Sequence, residues 1–88
     1  MVKYKTIIEI KPIDISRAIE ICTSIAEKDE TFEFKIEEKK YGVFLIIFSK
    51  ERDQAHKRGL LFCRKYLPVE EGDEYLYWVR SLKNDQKN

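Results

Sequence analysis

Residues 43–48, Val-Phe-Leu-Ile-Ile-Phe, are the feature that most limits how this chain can fold. A strand turns successive side chains to opposite faces, so this run places apolar groups on both faces of a sheet. The run is also far shorter than the roughly 18–20 apolar residues that a membrane-spanning helix needs. It therefore predicts a central strand whose two faces are both covered or used.

Periodic segments on either side of this run predict the other elements. Alternation with period two indicates strands, and apolar spacings of three and four indicate amphipathic helices. Asp14 precedes the first helix, where its carboxylate can accept a free backbone N–H and cap the helix. The predicted elements are strands over 3–10, 31–38 and 41–48 and helices over 15–29 and 50–67.

The last apolar segment, residues 74–82, fits two structures. Its aromatic and β-branched residues favour a strand, whereas apolar groups spaced by three and four also fit a helix. We predict a strand and keep a helix as the alternative. The resulting β-α-β-β-α-β order predicts an α+β, ferredoxin-like sandwich with a four-stranded antiparallel sheet and both helices on one face. We expect one domain over 1–82 and a polar tail over 83–88.

The composition excludes several classes of protein. Seventeen Lys and Arg against sixteen Asp and Glu leave a formal charge of +1, so the chain as a whole is not a basic nucleic-acid binder. Residues 1–10 alternate charged and apolar groups and lack the apolar core of a signal peptide. Two cysteines are too few for a disulfide scaffold. We expect a cytoplasmic protein that does not contact membranes.

Residues that could carry catalysis or bind a cofactor are sparse. The three glycines are isolated, so there is no Gly-rich phosphate loop, and the single histidine, His56, argues against a His-based metal site. His56 and Cys63 lie seven residues apart on one predicted helix, which separates them by about 10 Å along its axis. We predict no catalytic, cofactor-binding or metal-binding residues; a small enzyme using Cys63, with a lowered thiol pKa, is the second alternative.

The second predicted helix carries a basic stripe. Region 50–67 has a net charge of +4, whereas region 14–30 has a net charge of −3. These charges either complement each other across neighbouring helices or form a surface for a phosphate backbone or an acidic partner. The residues predicted for such a surface are Tyr41, Lys57, Arg58, Arg64 and Lys65.

The sheet face opposite the helices is the other predicted surface. We assign Val43, Leu45 and Ile47 to a dimer or partner surface, and the alternating set Phe44, Ile46 and Phe48 is the other possible one. The third strand also partly resembles the third-strand signature of the RNA-recognition motif, with Val43 where that motif has an aromatic residue.

One family resemblance adds a specific expectation. The hairpin over 34–40, Phe-Lys-Ile-Glu-Glu-Lys-Lys, followed by Asp53 and Arg58-Gly59, resembles the small dimerising subunit of the archaeal KEOPS tRNA-modifying complex over about residues 4–67. The resemblance implies a non-catalytic β-α-β-β-α protein that pairs through its sheet and second helix and joins two copies of a larger assembly. The chain departs from that family in its longer third strand and in the segment beyond residue 67.

These observations favour a non-enzymatic interaction module without a cofactor, either self-associating or serving as an accessory subunit of a larger assembly. The alternative is an RNA- or DNA-binding domain that uses the basic second helix, with an affinity that falls steeply with salt.

Overall fold

A computed structural model of the chain describes residues 4–66 in full and, for residues 79–83, the backbone alone. A one-turn 3-10 helix, Pro12–Asp14, leads into the first α-helix. The order β-α-β-β-α agrees with the order predicted from periodicity. The main elements are β1 (Tyr4–Ile10), α1 (Ile15–Lys28), β2 (Glu33–Lys39), β3 (Gly42–Ser49) and α2 (Arg52–Tyr66).

The three strands form an antiparallel sheet in which β3 lies between β1 and β2. Leu45 of β3 pairs with Ile8 of β1 on one side and with Ile36 of β2 on the other. The doubly apolar run is therefore in a central strand, as its sequence predicts, whereas the use of both its faces stays a prediction.

The backbone of Val79–Lys83 (β4) runs antiparallel to β1, with Val79 opposite Ile8 and Lys83 opposite Tyr4. It covers the second half of the predicted strand over 74–82 and extends one residue into the predicted tail. Residues 74–78 and 84–88 lie outside the described residues, so the full length of that strand and the polar tail stay predictions.

The core lies between the helices and one face of the sheet. Each helix turns its apolar stripe to the sheet, and the buried residues of α2 include Ala55, Gly59, Phe62, Cys63 and Tyr66. On β1 the Thr6 hydroxyl donates a 2.7 Å hydrogen bond to the Ala55 carbonyl of α2, which satisfies a polar group in this interface. The core side chains are Ile8, Ile10, Ala18, Cys22, Ile25, Phe32, Val43, Leu45, Ile47, Phe62, Cys63 and Tyr66.

The start of α1 differs from the prediction in one contact. Asp14 occupies the N-cap position, but its carboxylate makes no bond to the helix N–H groups. It instead accepts a 2.7 Å hydrogen bond from the Tyr66 hydroxyl, which itself accepts the Lys11 N–H at 3.2 Å. Burial is the main cause that raises the pKa of Tyr66, so this hydroxyl keeps its proton. Asp14 therefore joins the end of α2 to the start of α1.

Within the described residues, neither helix is long and apolar enough to cross a membrane.

Candidate interaction surface

The two faces of β3 have different surroundings, and this corrects one predicted surface. Val43, Leu45 and Ile47 are only 5%, 0% and 0% exposed. They pair with Ile10, Ile8 and Thr6 of β1 on the face that both helices cover. The prediction that these three residues form a dimer or partner surface is wrong, because the helices already bury them.

The opposite face of the sheet, called the open face below, carries the alternate set of β3 residues. Phe44 and Phe48 are half-buried, and Ile46 between them is 5% exposed. Half-buried Ile7 lies beside Ile46 on β1. We call these four residues the apolar strip: Ile7, Phe44, Ile46 and Phe48. Both described helices pack on the other face, so among the fully described residues 4–66 the apolar strip is the apolar surface of the sheet that no helix covers.

A groove of about 530 Å³ opens at one end of the apolar strip. Tyr41 in the β2–β3 turn is 77% exposed, and its ring lies 5.7 Å from the Phe44 ring, centroid to centroid. Gly42 has a φ of +157°, and a Cβ there would lie 3.3 Å from Glu9 Oε2 and from the Phe44 ring. Glycine therefore allows Glu9 and Phe44 to approach the turn closely. The groove is lined by Ile7, Glu9, Glu37, Lys39, Tyr41, Phe44 and Ile46.

Charged side chains flank the apolar strip in an ordered pattern. Glu37 of β2 binds Lys35 at 3.0 Å and Lys39 at 3.7 Å. The Lys35 hydrogen bond is the main cause that holds the pKa of Glu37 below its ordinary value, and Lys5 of β1 makes a smaller contribution. Lys5 therefore acts over the same face as Glu37. Within residues 4–66 Lys5, Glu9 and Glu33 have no hydrogen bond or ion pair through their side chains.

The basic stripe predicted on α2 loses one of its members. Lys57, Arg64 and Lys65 are exposed, whereas Arg58 is only 7% exposed and faces inward. The predicted surface with Tyr41 is also not continuous, because Tyr41 lies with the open face of the sheet and α2 packs on the other face. The prediction that Arg58 contacts a partner is wrong for a structural reason: its guanidinium is used inside the fold.

Arg58 connects α2 to two other elements. Its Nη2 lies 2.7 Å from Asp29 Oδ2 and 2.6 Å from Thr31 Oγ1, and its Nη1 donates to the Phe48 carbonyl at 3.0 Å. Its guanidinium carbon also lies 5.6 Å from the centroid of the Phe32 ring. Hydrogen bonds from Thr31, with a smaller contribution from Arg58, hold the pKa of Asp29 below its ordinary value. Arg58 therefore fixes the α1–β2 loop against the end of β3.

The two cysteines are free thiols in the core. Both are fully buried, and burial raises the pKa of Cys63 to about 12. The same effect raises the pKa of Cys22 to about 12. A cysteine nucleophile reacts as the thiolate and needs a lowered pKa and access to its substrate. The environment of Cys63 is the opposite of what the enzyme alternative requires.

Within the fully described range 4–66, no group of three or more His, Cys, Asp or Glu side chains is arranged to hold a metal ion. Comparison of the chain with models of known protein families, with curated proteins and with solved structures found no match.

Ile7 is the residue of the apolar strip that the sequence analysis does not single out. Period two puts Ile7 and Glu9 on the face of the first strand opposite Thr6, Ile8 and Ile10. Their position beside Ile46 and Phe44 depends on the strand register, which only the structure gives.

Proposed function

We propose that this protein is a non-enzymatic interaction module that self-associates through the open face of its sheet. The observation that carries the proposal is the apolar strip, in which half-buried Phe44, Phe48 and Ile7 surround Ile46 on the face opposite both helices. Burying aromatic and aliphatic groups that water now contacts would favour association by about 25 cal/mol per Å².

The size of the open face indicates a weak rather than an obligate dimer. Three strands of seven or eight residues and the shorter β4 span a face of at most about 24 Å by 19 Å. That is smaller than the roughly 800 Å² per partner of a typical stable interface. Together with the entropic cost of association, this supports a dissociation constant on the order of 10 µM.

We further propose that the complete fold is the ferredoxin-like one, with β4 as the fourth strand of the sheet. The antiparallel backbone pairing of Val79–Lys83 with Tyr4–Ile8 supports this, as does the strand-like composition of 74–82. With β4 on one edge of the sheet, β2 is the other edge. Three consecutive residues of β2 are charged: Glu37, Glu38 and Lys39. Charged edge strands resist edge-to-edge pairing, so association through the face is favoured.

The resemblance to the small dimerising subunit of the KEOPS complex extends this proposal. A protein of that kind would use its dimer to join two copies of a larger assembly. In this chain the hairpin residues of the resemblance lie in β2 and its turn, next to the open face, while Arg58 and Gly59 are buried. The open face therefore supports the pairing role, and the larger assembly remains a proposal from the resemblance.

Sedimentation equilibrium over about 1 to 300 µM protein tests this proposal. We expect the mass to rise from 10.6 kDa towards twice that value, with little dependence on added RNA. The same series at low and high salt examines the nucleic-acid alternative, which predicts RNA binding through Lys57, Arg64 and Lys65 that weakens steeply with salt. A single-chain mass at the highest concentration would refute self-association.

A further inference from the structure

We infer that the second copy packs on the open face with its strands antiparallel to those of the first, so that Lys5 of each copy pairs with Glu9 of the other. This inference rests on the proposed self-association and specifies its geometry. The two-fold axis lies in the interface, perpendicular to the strands, and passes through Ile7 and Ile46. The strand register and the charges at the two ends of the apolar strip indicate this arrangement.

Across β1, β3 and β2, the register divides the open face into rows of three residues. The first row contains Lys5, Phe48 and Glu33, and the third contains Glu9, Phe44 and Glu37. The row between them contains Ile7, Ile46 and Lys35. An aromatic residue therefore lies at the centre of each outer row, with a charged side chain on both sides of it.

The charges of the two outer rows are opposite on the β1 side of the apolar strip. On the β1 side, Lys5 stands at one end and Glu9 at the other, and within the described residues neither side chain has an ion-pair partner. On the β2 side both outer rows carry a glutamate, Glu33 and Glu37, but Lys35 and Lys39 bind Glu37 within the same copy. The electrostatic complementarity between the two copies therefore comes from Lys5 and Glu9 on the β1 side.

A two-fold rotation about the middle row brings these features together. It places Phe48 of one copy opposite Phe44 of the other, and Ile46 opposite Ile46. It also places Lys5 opposite Glu9 in two symmetric pairs, as a self-complementary interface requires. Packed sheets lie about 10 Å apart, a gap that the long side chains of lysine and glutamate can bridge from both sides.

A two-fold axis parallel to the strands is the competing arrangement. With that axis on β3, Lys5 would face Glu33, so its charges also match. However, Ile7 would then face Lys35 and leave the apolar strip, whereas the axis through the middle row keeps Ile7 against Ile7. The axis through the middle row also brings the two Lys35 side chains together, but each ammonium group binds Glu37 of its own copy at 3.0 Å. Apolar matching therefore favours the axis perpendicular to the strands.

Charge-reversal variants distinguish the two arrangements. Lys5→Glu alone and Glu9→Lys alone should each self-associate about tenfold more weakly than the parent chain at low salt, because two attractive pairs become repulsive. An equimolar mixture of the two variants should recover a dissociation constant within about threefold of the parent value, since both pairs are then of opposite charge. Sedimentation equilibrium measures all three samples, and circular dichroism checks that each variant is folded.

The matched control is an equimolar mixture of Lys5→Glu and Glu33→Lys, because Glu33→Lys changes the net charge by the same amount as Glu9→Lys. This mixture should give no comparable recovery of self-association. Recovery with Glu33→Lys instead of Glu9→Lys would overturn the inference and establish the axis parallel to the strands. Unchanged self-association of Lys5→Glu would also overturn it while leaving the proposed function intact. If either reversal prevented folding, Lys5→Gln and Glu9→Gln would provide the same comparison with smaller, roughly threefold effects.

Discussion

Replacing Arg58 with alanine is expected to lower the free energy of unfolding by about 2–4 kcal/mol, because the change removes several hydrogen bonds at once. Arg58 is 7% exposed and is bound to Asp29, Thr31 and the Phe48 carbonyl. Its loss leaves the Phe48 carbonyl, at the end of β3, without the hydrogen bond that Arg58 donates. It also removes the packing of the guanidinium on the Phe32 ring.

Lys57→Ala is the matched control for this prediction, since Lys57 precedes Arg58 in α2 and is exposed. Its effect should be within about 0.5 kcal/mol, as for most surface substitutions. Arg58→Lys should recover only part of the loss, because an ammonium group cannot reproduce the planar fork of the guanidinium. Urea denaturation at neutral pH measures all three variants. Equal stability of the Arg58→Ala and Lys57→Ala variants would contradict the role assigned to Arg58.

Leu45→Ala should lower the free energy of unfolding by about 2–5 kcal/mol and leave the dissociation constant of the folded protein unchanged. Leu45 is fully buried at the centre of the sheet, where it pairs with Ile8 and Ile36 beneath the helices. Truncation would open a cavity in the core without altering the open face. The two effects together distinguish a core position for Leu45 from the partner surface that the sequence predicted for it.

The measurement combines urea denaturation of dilute protein with sedimentation equilibrium of the folded variant. Dilution below the dissociation constant matters because association itself adds apparent stability. Ile13→Ala provides a control for the removal of an exposed apolar side chain, since Ile13 is 88% exposed. If Leu45→Ala weakened self-association without loss of stability, Leu45 would belong to a partner surface after all.

Local patterns in the sequence predicted the secondary structure well for a physical reason. Helices and strands have fixed periods, and α1 and the β2–β3 hairpin keep their apolar spacing without interruption. Residues 43–48 predicted a central strand correctly, but the same feature hid which face was the core. When both faces of a strand are apolar, period two cannot distinguish them, and only packing against the helices does.

Two polar residues also have roles that local patterns do not reveal. Arg58 follows Ala55 by three residues and precedes Phe62 by four, so its spacing does fit the buried stripe of α2. Its charge predicts an exposed position, because arginine is rarely buried unless its guanidinium is paired. The partners that allow its burial, Asp29 and Thr31, are distant in sequence, so local patterns do not reveal them. The hydrogen bond between Asp14 and Tyr66 is hidden from local patterns in the same way, because the two residues lie 52 positions apart.

Self-association through the open face is tested most directly by removing the aromatic part of the apolar strip. The double variant Phe44→Thr/Phe48→Thr keeps the net charge and the strand preference but loses four aromatic groups from each dimer. Its control is Ile13→Thr/Ile19→Thr, which removes apolar groups that are 88% and 44% exposed outside the sheet. Sedimentation equilibrium should show self-association about 100-fold weaker in the first variant and unchanged in the second. Equal dissociation constants for the parent chain and the Phe44→Thr/Phe48→Thr variant would contradict the account.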